Sequence, residues 1–145
     1  MGSFSAMNIA ATGMTAQQLR IDIVSQNIAN ANSTRGEDGN VYRRKTVVMA
    51  EKRRTAFGNV LETCMGQANS GVKVTGITTD MSDLKMVYDP DHPDAAENGY
   101  VSYPNVATVQ EMTDMIDASR SFEANVTAFQ AAKSMASKGL EIMQA

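Results

Sequence analysis

The only histidine of the chain, His92, stands among Asp89, Asp91 and Asp94 in the run Tyr88-Asp89-Pro90-Asp91-His92-Pro93-Asp94. Imidazole and carboxylate donors this close together are the raw material of a metal site. Pro90 and Pro93, however, occupy places where a calcium loop needs Asp, Asn or Gly, and no glutamate closes that loop at its twelfth position. The run therefore reads as a solvated turn, and the acid-rich span from Asp80 to Glu97 as a polar loop surface rather than a catalytic carboxylate pair. Cys64 is the single cysteine, so it forms no internal disulfide, and nothing around it resembles a nucleophile with its base. No nucleophile elbow, phosphate loop, dinucleotide fingerprint or zinc motif occurs, so no enzyme, no cofactor and no metal is expected.

The basic residues raise a sharper question. Seven of the 13 lie between Arg35 and Arg54, including Arg43-Arg44-Lys45 and Lys52-Arg53-Arg54. A single-stranded nucleic-acid surface would interleave such charges with aromatic rings, and only Tyr42 stands among them. A net charge of −3 also argues against a polyanionic partner. The alternative of a nucleic-acid-binding coiled-coil protein using the basic 43–54 segment is thus set against a charged strand and loop that complements acidic neighbours. No stretch reaches the ~18 apolar residues of a membrane span, and no basic run followed by an apolar core marks a cleaved secretory signal near Met1.

With no catalytic constellation to position, the elements themselves carry the information. A chain of 145 residues is the size of one domain. From Phe4 to about Ala31 there is no proline, and Met7, Met14, Ile21 and Ile28 recur every seven residues. Phe4, Ala10, Ala11, Val24 and Ala31 fill in beside them, which predicts an amphipathic helix roughly 40 Å long, at 1.5 Å per residue, with a coiled-coil seam. A second helix is expected from Asn105 to Met143, with Met112, Met115, Phe122, Val126, Phe129, Ala136, Leu140 and Met143 on a line of three- and four-residue steps that two polar residues, Ser119 and Lys133, interrupt. Pro104 would end what precedes it and Asn105 would cap the first free amides. Strands are expected at Val41 to Met49, Gly71 to Ile77, Lys85 to Tyr88 and Tyr100 to Tyr103, and a short helix within Glu51 to Gln67.

The expected fold is mainly α: long N- and C-terminal helices packed as a coiled-coil hairpin, with a small β and extended-loop insertion between them. The expected division is 1–34 plus 104–145 as a discontinuous helical core and 35–103 as an outward-facing insertion. Two helices alone bury too little apolar surface to offset the entropy of ordering them, so folding is expected to finish on assembly with other chains. Six of the 11 methionines fall in the terminal helices, and such adaptable side chains suit seams that meet non-identical neighbours.

One pattern exceeds what a helix end requires. Ser25-Gln26-Asn27-Ile28-Ala29-Asn30-Ala31-Asn32-Ser33-Thr34 crowds asparagines and hydroxyls at the close of the first helix. Asparagine suits that place because its amide bonds free backbone groups and because it tolerates left-handed geometry. With Phe4-Ser5, Ile9-Ala10, Gly13-Met14-Thr15-Ala16-Gln17 and Arg20, this run resembles the amino-terminal signature of the bacterial flagellar rod and hook protein family. Gly71-Val72-Lys73-Val74, Val87-Tyr88-Asp89-Pro90, His92-Pro93, Asn98-Gly99-Tyr100-Val101, Pro104-Asn105-Val106, Glu111-Met112, Ala118-Ser119-Arg120-Ser121-Phe122-Glu123-Ala124-Asn125-Val126 and Ala131-Ala132-Lys133-Ser134-Met135 extend the likeness. They narrow it to the short proximal-rod members, over nearly the whole chain.

That resemblance implies a structural subunit of the flagellar basal-body rod, exported unfolded by the flagellar type III apparatus and placed outside the cytoplasmic membrane. It implies terminal helices sharing a coiled-coil core with other subunits, and a middle segment facing outward. The implied partners are other proximal-rod proteins, distal-rod subunits, the adaptor between rod and export gate, and the export apparatus, with no nucleic acid and no membrane insertion. The implied assembly interface comprises Met7, Met14, Ile21, Asn27, Ile28 and Asn30 on the first helix and Met112, Met115, Phe122, Val126 and Phe129 on the second.

Overall fold

A computed structural model describes residues 3–36, 39–52 and 71–144. Cys64 and most of the short helix expected within 51–67 lie outside the described residues. In chain order the elements are α1 (Ser3–Ala29), β1 (Lys45–Glu51), β2 (Val72–Thr79), β3 (Lys85–Tyr88), β4 (Tyr100–Tyr103) and α2 (Thr108–Gln144). Strands β1 and β2 form one two-stranded sheet and β3 and β4 another. The fold is mainly α with small antiparallel sheets.

The helix ends differ from expectation for a local chemical reason. At the close of α1, Asn30 Nδ2 donates to the Gln26 carbonyl at 2.9 Å, and the Ser33 hydroxyl donates to Asn30 Oδ1 at 3.3 Å. The asparagine cap therefore works through its side chain, and no described non-glycine residue takes the left-handed conformation. At the other terminus α2 starts at Thr108 rather than Asn105, because the Asn105 side chain is engaged elsewhere. Its Oδ1 accepts from the Arg44 amide at 2.9 Å, and its Nδ2 donates to the Asp80 carbonyl and to Ser82 Oγ. Strand β1 likewise starts at Lys45 rather than Val41, since the Arg44 amide serves Asn105 and the Lys45 amide serves Asn27. Strand β2 runs on to Thr79; β3 and β4 fall where the alternation places them.

The chain divides into two compact units. The first comprises Met1–Leu19, Val48–Thr75 and Ala118–Ala145. Among its described residues small side chains make the buried positions, namely Ala10, Ala16, Ala118 and Ala132. A Cβ on Gly13 would lie 2.7 Å from Asn125 Oδ1, so glycine is required for that approach. The Lys52 amide donates to the Gly71 carbonyl at 2.7 Å and the Val72 amide to Thr12 Oγ1 at 3.2 Å, which fastens the strand ends to α1.

The second unit comprises Arg20–Val47 and Gly76–Asp117. Ile23, Val24, Val101 and Pro104 are buried in it, together with two polar residues, Asn27 and Glu111. Strand β3 pairs antiparallel with β4, Val87 opposite Val101 and Tyr88 opposite Tyr100. The turn between them is held by the Asp89 amide bonding the Gly99 carbonyl and the Gly99 amide bonding the Ala96 carbonyl. Gly99 has φ of 75°, and a Cβ there would lie 2.8 Å from Tyr88 Cε2. Gly99→Ala should therefore cost about 1–2 kcal/mol from the left-handed backbone alone, plus displacement of the ring. Urea denaturation of the purified chain checks this, and an unchanged midpoint would contradict it.

Candidate functional site

The last turn of α1 faces its Asn27 side chain inward, where it is 0% exposed. An asparagine so buried must have both amide hydrogens and both carbonyl lone pairs occupied, or each orphan costs about 1–3 kcal/mol. All four are used. Nδ2 donates to the Lys45 carbonyl at 2.8 Å and to Glu111 Oε2 at 2.8 Å. Oδ1 accepts from the Tyr42 hydroxyl at 2.8 Å and from the Lys45 amide at 3.0 Å. The first turn of α2 supplies Glu111, also 0% exposed. Its other oxygen, Oε1, accepts from Arg44 Nε at 2.5 Å. Arg44 Nη2 then reaches Asp114 Oδ2 at 3.1 Å, and Arg20 approaches the other Asp114 oxygen at 3.6 Å. Three separate stretches of chain thus meet in one polar knot.

Its electrostatics follow from that wiring. The hydrogen bond to Glu111 raises the Arg44 guanidinium above its ordinary value, against the opposing effect of partial burial. Burial raises the Tyr42 phenol, and the nearby Glu111 charge raises it further. At the edge of the knot, the Ser82 amide and hydroxyl hold Asp80 below the ordinary carboxylate value. Arg44 is here part of the fold, and Arg43 Nη1 donates to the Ser82 carbonyl at 2.9 Å. The basic run is therefore not an open cationic stripe along these positions. With every lone pair of Asn27 taken and Glu111 shared between two donors, the knot holds chain segments together and offers no acid or base.

The other candidates are plainly placed. His92 Nδ1 accepts from the Asp94 amide at 3.1 Å, its ring lies edge-on to Tyr103 at 6.4 Å, and Asp94 accepts from the Thr34 hydroxyl at 2.8 Å. Among the described residues no group of three or more His, Cys, Asp or Glu side chains could hold a metal ion. An open cleft of about 370 Å³ lies beside this turn, walled by Thr34, Arg35, Val41, Asp94 and Val101. No described helix is long and apolar enough to cross a membrane.

The large apolar residues expected along the helices take a different position from the knot. Met7, Met14, Ile21, Ile28, Met115, Phe122, Val126 and Phe129 are half-buried, and Met112 is 53% exposed. The most buried helical positions are instead Ala10, Ala16, Ile23, Val24 and Asn27 on α1 and Glu111, Ala118 and Ala132 on α2. Asn27 is thus wholly engaged within the chain, whereas Asn30 is half-buried at the helix end. Reading the sequence by apolar type missed Tyr42, Arg44, Asn105 and Glu111. One signal was available: Glu111, Ala118, Asn125 and Ala132 recur every seven residues, one line of small and polar side chains.

Two tests follow. Asn27→Ala and Glu111→Ala should each lower stability by about 3–5 kcal/mol, because each leaves buried partners unpaired. The double variant should cost much less than the sum, since both remove the same network; additive losses in urea titrations would contradict it. Folded Tyr42 holds its proton above the unfolded value of 10.0, so its contribution is intact below that pH and is lost as pH rises through the folded value. Tyr42→Phe should remove this alkaline step from the stability profile, and an unaltered step would contradict the assignment.

Comparison with known proteins places the knot in context. Residues 7–36 match the family described as "Flagella basal body rod protein", and residues 97–142 match "Flagellar basal body rod FlgEFG protein C-terminal". Asn27 falls within the first match and Glu111 within the second. The flagellar basal-body rod protein FlgC of Borreliella burgdorferi is 45% identical, over 99% of each chain. That of Bacillus subtilis is 46% identical, over 98% of this chain and 99% of its own. That of Salmonella typhimurium is 38% identical, over 99% of this chain and 100% of its own. These names are those of structural parts, in agreement with the expectation that the chain is not an enzyme. These matches, at 38–46% identity and nearly end to end, mean that the chain belongs to the FlgC family of flagellar basal-body rod proteins.

Proposed function

We propose that the chain is a structural subunit of the proximal flagellar rod, assembling with other rod proteins into the axial shaft that carries motor torque to hook and filament. The observation that carries this reading is the outward placement of large apolar side chains. On α2, Val109 is 80% exposed, Ile116 53%, Met135 65%, Leu140 58% and Ile142 78%, while its buried line holds Glu111, Ala118 and Ala132. A helix whose most buried positions are small or polar, with Phe122, Val126 and Phe129 only half-buried and several large apolar side chains exposed, leaves part of its hydrophobic stabilisation for neighbouring chains.

In this reading the terminal helices pack as a coiled-coil core within and between subunits, and residues 35–103 face outward. Met7, Met14, Ile21 and Ile28 on α1, with Met112, Met115, Phe122, Val126 and Phe129 on α2, form the assembly seam. Asn27 acts indirectly, by fixing the end of α1, and Asn30 by capping it. The partners are other proximal- and distal-rod subunits and the adaptor between rod and export gate. The chain reaches the basal body through the flagellar type III export apparatus. Torque passes through many packed side chains rather than through one bond.

Burying an unpaired carboxylate in such a seam is costly. Ile21→Asp or Phe122→Asp should abolish rod assembly and swimming while leaving the chain exportable. Motility plates and immunoblots of purified basal bodies read the outcome, and swimming cells with either variant would contradict the seam.

A further inference from the structure

The two compact units differ in charge. The first contains seven basic and four acidic residues and the second six and twelve, which together account for the 13 and 16 of the whole chain. The net charge of −3 is therefore the sum of a basic unit and a strongly acidic one. Within the first unit, Lys52 and Lys73 are exposed at the end of the β1–β2 sheet that the Lys52–Gly71 bond closes. Neither makes an ion pair with a described residue, and Arg53 and Arg54 follow Lys52 in sequence.

The second unit presents the complementary chemistry on the outer face of β3–β4. Register places Met86 opposite Ser102 and Tyr88 opposite Tyr100 on one face, with Val87 and the buried Val101 on the other. On the outer face Met86 is 54% exposed, Tyr88 64% and Tyr100 42%. The two rings meet edge to face at 5.3 Å, which holds both in fixed orientation. Exposed Asp91 and Glu97 stand in the turn that joins these strands and make no ion pair with described residues. Aromatic rings with a carboxylate rim attract Lys and Arg through both the ring face and the charge.

We infer that the β3–β4 outer face of one copy, through Tyr88, Tyr100, Asp91 and Glu97, receives the Lys52–Lys73 end of the β1–β2 sheet of a second copy. This rests on the rod reading above and adds to it a contact between like subunits. The two surfaces are different patches of one chain, so the contact is heterologous and repeats head to tail, the geometry an open or ring-shaped assembly needs.

Sedimentation equilibrium of the purified full-length chain tests it. Self-association should weaken roughly tenfold or more between about 0.01 M and about 1 M salt, as the screening length falls from about 30 Å to about 3 Å. The variants Lys52→Glu/Lys73→Glu and Asp91→Lys/Glu97→Lys should each fail to self-associate while keeping the parent's circular dichroism. Mixed together they should associate again, because acid now meets base across the same contact. A monomeric parent, association indifferent to salt and to both reversals, or a mixture that stays monomeric would overturn the inference. A chain that never self-associates yet co-purifies with basal bodies overturns this contact and leaves the rod reading standing. A chain absent from basal bodies removes the rod reading, whatever its self-association.

Discussion

The end of α1, the approach to β1 and the start of α2 meet around one buried amide. Asn27 has no exposed surface and four hydrogen bonds, to Tyr42, to both backbone groups of Lys45 and to Glu111. Because an unpaired buried donor or acceptor costs more than a made bond gains, the network acts as a unit. With Asn27 in place, the end of α1, the approach to β1 and the start of α2 have one mutual arrangement. Arg44 extends the same logic outward, since its guanidinium joins Glu111 to Asp114 and its backbone joins Asn105 to Asp80. The residues that fix the local fold are polar, and their hydrogen-bonding directions give a specificity that apolar packing lacks.

This arrangement explains how the second unit, with few buried apolar side chains among its described residues, keeps one local arrangement. The first unit buries alanines and brings Gly13 against Asn125, a close approach that gains little hydrophobic energy. Leu140, Ile142, Met135 and Val109 stay outside. A polymer subunit needs both properties: enough internal specificity to present the correct surface, and enough unburied apolar area for assembly to be favourable. Directional bonds inside serve the first need, and exposed apolar side chains such as Met112 and Met135 the second.

Much of the architecture was readable from spacing. The absence of proline and the three-and-four periodicity gave both helices, and alternation placed β3 and β4 to the residue. Asn30 was readable as a cap, though it works through its amide rather than through left-handed backbone. Asn105 misled because the same short amide that caps helices also binds strand backbone, and only the tertiary partner decides which. The knot was hidden for a related reason. Apolar type locates where hydrophobic energy is available, and in this chain much of that energy is left facing outward. Glu111 and Arg44, 67 residues apart, read as surface charges until the fold brings them together. The seven-residue line of Glu111, Ala118, Asn125 and Ala132 carried the missing information, in residue types that a search for hydrophobic stripes passes over.

The central claim is that the Asn27 network organises the second unit before any neighbour binds. Hydrogen exchange of the Arg44 and Lys45 amides in the isolated chain tests it most directly, because both donate to asparagine side chains rather than to a strand or helix. These two amides should exchange among the slowest of the whole chain and lose protection together in Asn27→Ala. Exchange at the rate of an unfolded peptide in the parent chain would show that the knot forms only in the assembly, and would contradict it.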